Sequence, residues 1–512
     1  MKNMHIVMVA LALAVLLSFS TVSGESEKVL RVATMWDIPS IDPDDRGDAW
    51  AEKTLVTETL VKSDQNYRLL PQLALSWEQL DDDTWEIKLR DDVLFHDGGK
   101  MSADDVKFTL ERGAELDSTI ANFLNLDHID VVDPATLQIH TKEPNSMLPS
   151  ILHYPELGII SRNSMDNEGI LRQPIGTGPF KFESFDEKTH VLTVMKNDKW
   201  WGGSTQIDRV VTIPMTDANT RSSAIEKGDV DFTVDIPYSE TNRIDSLDGV
   251  NARVYNTSYL YRLDLNINHD PLSDIDVRHA LSYAINRDDI VKYVLFGVGS
   301  ADSVPFSSEM PWANSSVRRY DYDPNEAEEL LRKAGWKDDD GDGILDKDGK
   351  PLELSLLTYA TRPGLVPVAE ALIGELASIG VRANLDVLEW GAIEKRRSEG
   401  DWDMVLFATN SALIPDPQYY LERSYGTGGS YNYVGYSNPR VDELLSESME
   451  TRDMEERYDL LREVQSITQE EAINLVIAHY GMVVAQRDSI KGFEFYPTAH
   501  DYRLNPEMDI ED

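Results

Sequence analysis

LRDDVLFHDGGKMSADDVKFTLER, residues Leu89–Arg112, is the stretch on which the reading of the fold turns. It continues from TWEIKL (Thr84–Leu89), which alternates apolar and polar side chains as a half-buried strand does. Asp97-Gly98-Gly99 supplies the chemistry of a tight turn, and a helix follows. Ser102 stands at the N-cap of that helix with Asp105 three residues on, the spacing of a capping box. Val106 and Leu110 lie one turn apart and face inward. His96, within the turn, is expected at the surface. A strand turned sharply into a capped amphipathic helix is scaffold chemistry, and by itself it names no function.

The same alternation of short strands and amphipathic helices runs through the chain, which predicts α/β architecture. VLRVAT (Val29–Thr34), TLQIHT (Thr136–Thr141), HVLTVM (His190–Met195) and DRVVTIPM (Asp208–Met215) read as strands. DPNEAEELLRKAGW (Asp323–Trp336) reads as a helix with an Asp cap, a proline in its first turn and a terminating glycine. No repeat and no low-complexity linker divides the chain. At 512 residues it exceeds what one core usually supports, so more than one lobe is expected.

The net charge of −43 disfavours nucleic acid and anionic membrane surfaces as partners. The opening residues have the form of a secretory signal: Lys2, an apolar run from Ile6 to Leu17, then Val22 and Gly24 as the small residues of a cut after Gly24. The mature chain is therefore expected outside the cytoplasmic membrane, in a periplasm-like space or at the outer face of the cell. The sequence contains no cysteine. That removes disulfides, thiolate metal sites, thiol nucleophiles and a cysteine-linked lipid.

The stretch at Leu89–Arg112 resembles the most recognisable segment of the large extracellular solute-binding proteins of ABC importers, the family that carries peptides, nickel and related chelates. Further matches keep their order along the chain. PIGTGPFKF (Pro174–Phe182) resembles the family's hinge-proximal segment and NDKWWG (Asn197–Gly202) its tryptophan turn. DVRHALSYAINRDDIV (Asp276–Val291), YDPNEAEELLRKAGW (Tyr322–Trp336) and GDWDMVLF (Gly400–Phe407) are also similar. The resemblance implies a two-lobed, type II periplasmic-binding-protein-like fold with an extra subdomain and a ligand cleft between lobes. It places a signal peptide at 1–24, a first lobe at 25–265 with the subdomain at about 64–174, a second lobe at 266–474, and a return to the first lobe at 475–512. The strands holding LDLNIN, near 266, and NLVIAHY, near 475, are where the chain is expected to cross.

The resemblance also implies a mode of action, in which the lobes close over a small solute and the closed form docks on the membrane permease of an ABC importer. No cofactor is required, and a monomer is expected. Leu295–Trp336 and Ala478–Pro506 are most similar to the nickel-carrying group, which favours a nickel chelate as cargo; a short peptide is the alternative. Nickel carriers present first-lobe arginines to the chelator and a second-lobe histidine to the metal. Here Ser150–Ser161 has no arginine, and Ser424–Asn438 has tyrosines but no histidine.

Candidate ligand residues follow from segments expected at strand ends, where open α/β sheets bind ligands. Trp36 in TMWDIPSIDP either stacks on ligand or packs between lobes. His153 lies in the first-lobe wall and reads as a ligand or as a structural histidine. Arg362 in TYATRPG either clamps a carboxylate or lies on the surface before its proline. Trp390 ends VLEWG, Asn410 lies in FATNSALIPDPQYY, and Tyr431 and Tyr433 sit among glycines in GTGGSYNY. Asp416 is expected to order its turn, and His479 and His500 to pack.

A secreted hydrolase is the less favoured alternative: neither a G-x-S-x-G elbow nor an H-E-x-x-H pair is present, and a glycosidase carboxylate pair is not recognisable among so many acids. A ligand-presenting receptor remains an alternative to a transport component. DDDGDGILDKDGK (Asp338–Lys350) has the alternate aspartates of a calcium loop, with Asp338, Asp340 and Asp342 at positions 1, 3 and 5. Ile344 offers a carbonyl, and Asp346 or Asp348 substitutes for the glutamate missing at position 12, which is Gly349. Structural Ca2+ and a plain helix-to-strand turn are the two readings. In either, the loop is scaffold rather than cargo site.

Overall fold

The computed structural model describes residues 27–43 and 48–511; the signal segment at 1–24 lies outside the described residues. The apolar strand Val29–Thr34 sits inside a ten-stranded sheet, parallel to both Arg209–Pro214 and Phe232–Val234. Burial on both faces explains its lack of polar alternation. Antiparallel strands Leu192–Lys196 and Phe180–Phe185 complete that half. The other half contains Glu353–Thr358, parallel to both Arg382–Val387 and Met404–Asn410.

The two longest strands join the halves. Val250–Leu265 and Asn474–Arg487 pair antiparallel along most of their length. Tyr259–Leu265 pairs with Met404–Asn410, whereas Val484–Gln486 pairs with Phe232–Val234. Each long strand thus serves both halves, and their mutual register breaks between Asn256 and Leu260. The fold is the two-lobed α/β architecture expected, with the halves held in one sheet by main-chain hydrogen bonds.

A separate four-stranded antiparallel sheet has the order Ala74–Gln79, Thr84–Leu89, Thr136–Thr141, Leu126–Asp133. The helix Ala103–Leu116 packs on it through Val106 and Leu110, both fully buried. At its N-cap, the Asp105 carboxylate accepts from both the N–H and the Oγ–H of Ser102, at 3.0 and 2.7 Å. His96 departs from expectation. It is half-buried, its Nδ1 accepting from Gly176 N–H at 3.2 Å and its Nε2 lying 3.0 Å from Gly178 O. Burial lowers its pKa to about 4, so it bridges two chain segments as a neutral ring.

Those glycines belong to PIGTGPF, which threads past Leu55 and Val56. A Cβ at Gly176 would stand 2.0 Å from Val56 O, and one at Gly178 would stand 1.9 Å from Leu55 O. Between them Thr177 donates to the buried Glu58 carboxylate at 2.8 Å. The indoles of Trp200 and Trp201 donate to the same carboxylate at 3.2 and 2.9 Å. Two conspicuous sequence motifs therefore meet on one acid, whose pKa burial raises despite these donors. Gly178→Ala is expected to destabilise the chain by at least about 1–3 kcal/mol, because backbone must move to admit the methyl; urea unfolding measures it, and an unchanged midpoint contradicts this packing.

Candidate ligand-binding cavity

Parallel strands gather their carboxyl ends at one edge, and a cavity of about 390 Å³ opens there. Trp36 follows Val29–Thr34, Arg362 follows Glu353–Thr358, and Asn410 closes Met404–Asn410. Trp390 begins the helix Trp390–Glu399 after Arg382–Val387, edge-on to Tyr359 at 5.4 Å between ring centres. Tyr431 and Tyr433 complete the wall. The volume falls near the lower end of small-molecule sites, about 300–1,000 Å³.

Arg362 is only 3% exposed. Its Nη2 donates to Asp501 Oδ1 at 2.9 Å, and its Nη1 stands 3.7 Å from Asp235 Oδ2. Lys53 Nζ holds the other Asp501 oxygen at 2.9 Å, and Tyr480 OH donates to Asp235. The guanidinium also lies against the rings of Tyr259, Tyr480 and Trp36, 4.4–5.6 Å from their centres. Burial alone would raise the Asp501 pKa, but Lys53 and Arg362 outweigh it and hold this carboxyl well below the usual range. At Asp235 burial wins and pushes the pKa up to about 6, against the pull of Arg362.

Three lining residues keep a buried N–H that makes no hydrogen bond in the protein: Trp36 Nε1, Asn410 Nδ2 and Arg362 Nη1, the last facing Asp235 only at 3.7 Å. Asn410 is oriented by its oxygen, which accepts from Ser258 Oγ at 2.6 Å and Ala412 N–H at 2.8 Å. Among the described residues, Glu389 is the only carboxylate on the wall. Buried donors without partners carry a desolvation cost that an acceptor-rich ligand would remove. The glycine-rich loop is tightly turned: Asn432 donates to Gly426 O and Tyr436 O, and accepts from Tyr436 N–H. Arg423 stacks on Tyr431 at 3.9 Å and Arg397 on Tyr433 at 4.1 Å, which fixes both rings.

Six of the seven residues singled out from sequence thus share one cavity. His153 does not. It is 3% exposed, its Nε2 lies 3.4 Å from Ser63 Oγ, and burial lowers its pKa to about 3, so it is packed as a neutral ring. Arg362 is neither a surface residue nor a free clamp, since the chain itself supplies Asp501. Tyr259, Tyr359, Phe407, Tyr419 and His500 also line the cavity. Tyr259, Tyr359 and Phe407 sit in or beside strands and Tyr419 in the helix Pro417–Tyr425, and none was singled out from sequence; His500 carried only a packing expectation. His479 packs, with Nε2 3.0 Å from Val304 O. Asp416 caps the helix Pro417–Tyr425 and pairs with Arg457.

In the acidic loop, carboxylate oxygens of Asp338, Asp340 and Asp346 come within 4.8 Å of one another. Asp342 and Ile344 fall outside that trio. Asp342 Oδ1 accepts from Ile344 N–H at 2.8 Å, and its other oxygen stands 3.9 Å from Arg382.

A model described as bacterial extracellular solute-binding proteins, family 5 Middle, matches residues 68–432, and the chain belongs to that family. Oligopeptide-binding protein AppA of Bacillus subtilis is 26% identical over 87% of this chain and 84% of its own length. A nickel ABC transporter structure from Bacillus halodurans is 28% identical at a TM-score of 0.77, covering 94% of this chain and all of its own. NikZ from Campylobacter jejuni, solved with Ni(L-His), is 26% identical at a TM-score of 0.80, covering 93% and 96%. The chain is therefore the extracytoplasmic solute-binding component of an ABC importer, a carrier for a small ligand rather than an enzyme. Among the described residues no helix is long and apolar enough to cross a membrane.

The Asp235 pKa, raised from 3.8 to about 6, sets a pH signature. Its contribution to stability is fully present below pH 3.8 and is lost as pH rises through about 6. Asp235→Asn, which also suits the left-handed φ of 50°, is expected to exceed the parent in stability at pH 7.5 by up to about 3 kcal/mol. That advantage should vanish near pH 4; denaturant unfolding at both values checks it, and a difference independent of pH refutes it.

Proposed function

We propose that the chain captures nickel as a small carboxylate-bearing chelate, of the kind formed with histidine, and delivers it to a membrane permease. The observation that carries this reading is the donor set. Trp36, Arg362 and Asn410 each hold a buried N–H without a protein acceptor on one wall, which suits carboxylate oxygens. His500 is the single imidazole among the lining residues, and imidazole suits Ni2+. It lies in the C-terminal segment, so the metal contact comes from a different part of the chain than the loop Ser424–Asn438. Two structural relatives above 25% identity, the nickel ABC transporter from Bacillus halodurans and NikZ solved with Ni(L-His), support the same choice.

Size favours a chelate over a long peptide, since nine extended residues span about 30 Å and the cavity holds only about 390 Å³. Calorimetry is expected to detect nickel plus histidine but neither bare nickel in this cavity nor tri- to pentapeptides. Trp36→Phe keeps the ring and removes the N–H, and should weaken chelate binding about tenfold or more. Tight tripeptide binding without nickel dependence reverses the assignment in favour of peptide import.

We also infer that the acidic loop holds a structural Ca2+. Three aspartates converge there, and the Asp346 pKa is raised by partial desolvation and by the charges of Asp340 and Asp342. A hard cation relieves that repulsion. Chelator is expected to lower the melting temperature, and Asp338→Ala to abolish the shift even though it also removes caps to Gly341 and Gly343. A melt insensitive to chelator ends this inference.

A further inference from the structure

The smaller sheet carries a second cluster of ligating side chains on its solvent face. His128 and His140 are directly paired across neighbouring strands, and their rings stack 4.2 Å apart at an interplanar angle of 5°. Asp130, two residues after His128 and on the same face, places Oδ2 3.8 Å from His128 Nε2 and 3.7 Å from His140 Nε2. The core-facing neighbours Ile129 and Ile139 are buried, so packing fixes the strands from behind.

The hydrogen bonds dispose both rings toward a metal. Thr84 is paired with His140 in the next strand, and its hydroxyl donates to Asp83 Oδ1 at 3.0 Å. Its oxygen is left to accept the proton on His140 Nδ1, which lies 3.0 Å away. The His140 Nε2 lone pair is then exposed to the cluster; that atom is buried and has no hydrogen-bond partner in the protein. On the outer strand the register shifts between Leu126 and His128, which leaves Asp127 as an extra residue beside the ring. Asp127 Oδ2 stands 2.7 Å from His128 Nδ1, so that proton is also held by an oxygen. Each imidazole thus has its Nδ1–H tied, one to a carboxylate and one through a hydroxyl to a carboxylate. Each presents Nε2 beside Asp130, the outer-shell pattern that orients metal-bound histidines.

We propose that His128, His140 and Asp130 form a binding site for one divalent transition cation such as Zn2+, with an open coordination position facing solvent. Two imidazoles and one carboxylate suit a borderline-soft ion rather than Ca2+ or Mg2+. The three ligand atoms lie within 4.8 Å of one another. Tetrahedral Zn2+ with bonds of about 2.0–2.2 Å needs ligand separations of about 3.4 Å; Asp130 stands within a few tenths of an ångström of that from both rings, and the stacked imidazoles must turn about χ2 to aim their in-plane lone pairs at one ion. Asp81–Asp83, in the turn before Thr84, add negative charge at this end of the sheet. None of these residues lines the ligand cavity, so the site stands apart from the proposed cargo.

Calorimetric titration of Zn2+ into metal-free full-length mature protein tests it, with Ca2+ as contrast. One equivalent of Zn2+ is expected to bind at this site, undisplaced by millimolar Ca2+. His128→Ala and His140→Ala should each lower affinity at least about 100-fold without changing the melting temperature of the metal-free protein. Thr84→Val, which frees the His140 Nδ1 proton, should cost about tenfold, and Thr84→Ser should restore it. The double variant His128→Ala/His140→Ala should leave binding of nickel plus histidine in the cavity intact, so failure of either reading is seen separately. No saturable Zn2+ binding by the parent, or unchanged affinity in His140→Ala, overturns the proposal.

Discussion

A single buried guanidinium ties the two halves of the molecule together. Arg362 rises from the half built on Glu353–Thr358, while Asp235 and Asp501 belong to segments packed on the other half. Charges removed from water persist only when paired, and loss of Asp501 would leave Arg362 and Lys53 buried at a cost of several kcal/mol. Lys53 and Tyr480 supply what Arg362 leaves unmet. The network occupies the carboxyl ends of the strands, so it also shapes the cavity wall. The crossing strands provide the joint and Arg362 the latch.

This arrangement separates what marks the family from what selects a ligand. Thr177, Trp200 and Trp201 stand in segments whose resemblance to solute-binding proteins is plain, and all three spend their donors on Glu58. Gly176 and Gly178 are there because backbone passes where a side chain would stand. Such residues report packing. In the proposed reading, cargo choice rests instead on Trp36, Arg362, Asn410 and His500, which all line the cavity. A family match therefore defines the carrier and leaves its load to the chemistry of the wall.

The cavity was legible in part because strand ends can be read locally. Trp36, Trp390 and Asn410 each follow or close a recognisable strand, and in parallel sheets those ends converge. Tyr431 and Tyr433 were marked by their glycine-rich loop. His153 shows the limit: beside Tyr154 it read as part of a wall, yet the fold turns it inward to Ser63. His500 shows the converse, since nothing near it in sequence indicates that it shares a cavity with Arg362. His128 and His140 drew no functional reading from sequence, because only strand pairing sets their rings face to face.

From residues alone came the α/β class, the capped helix after Leu89, an acidic chain without thiol chemistry, and the family. These follow from periodicity, capping and composition, which act over a few residues. Tertiary structure decided that Arg362 is answered by Asp501, that Glu58 gathers two motifs, and that three N–H groups share one wall without acceptors. The first two are contacts between segments more than a hundred residues apart, and the third gathers side chains from separate strand ends. No local pattern encodes such meetings, because they depend on how the whole sheet closes.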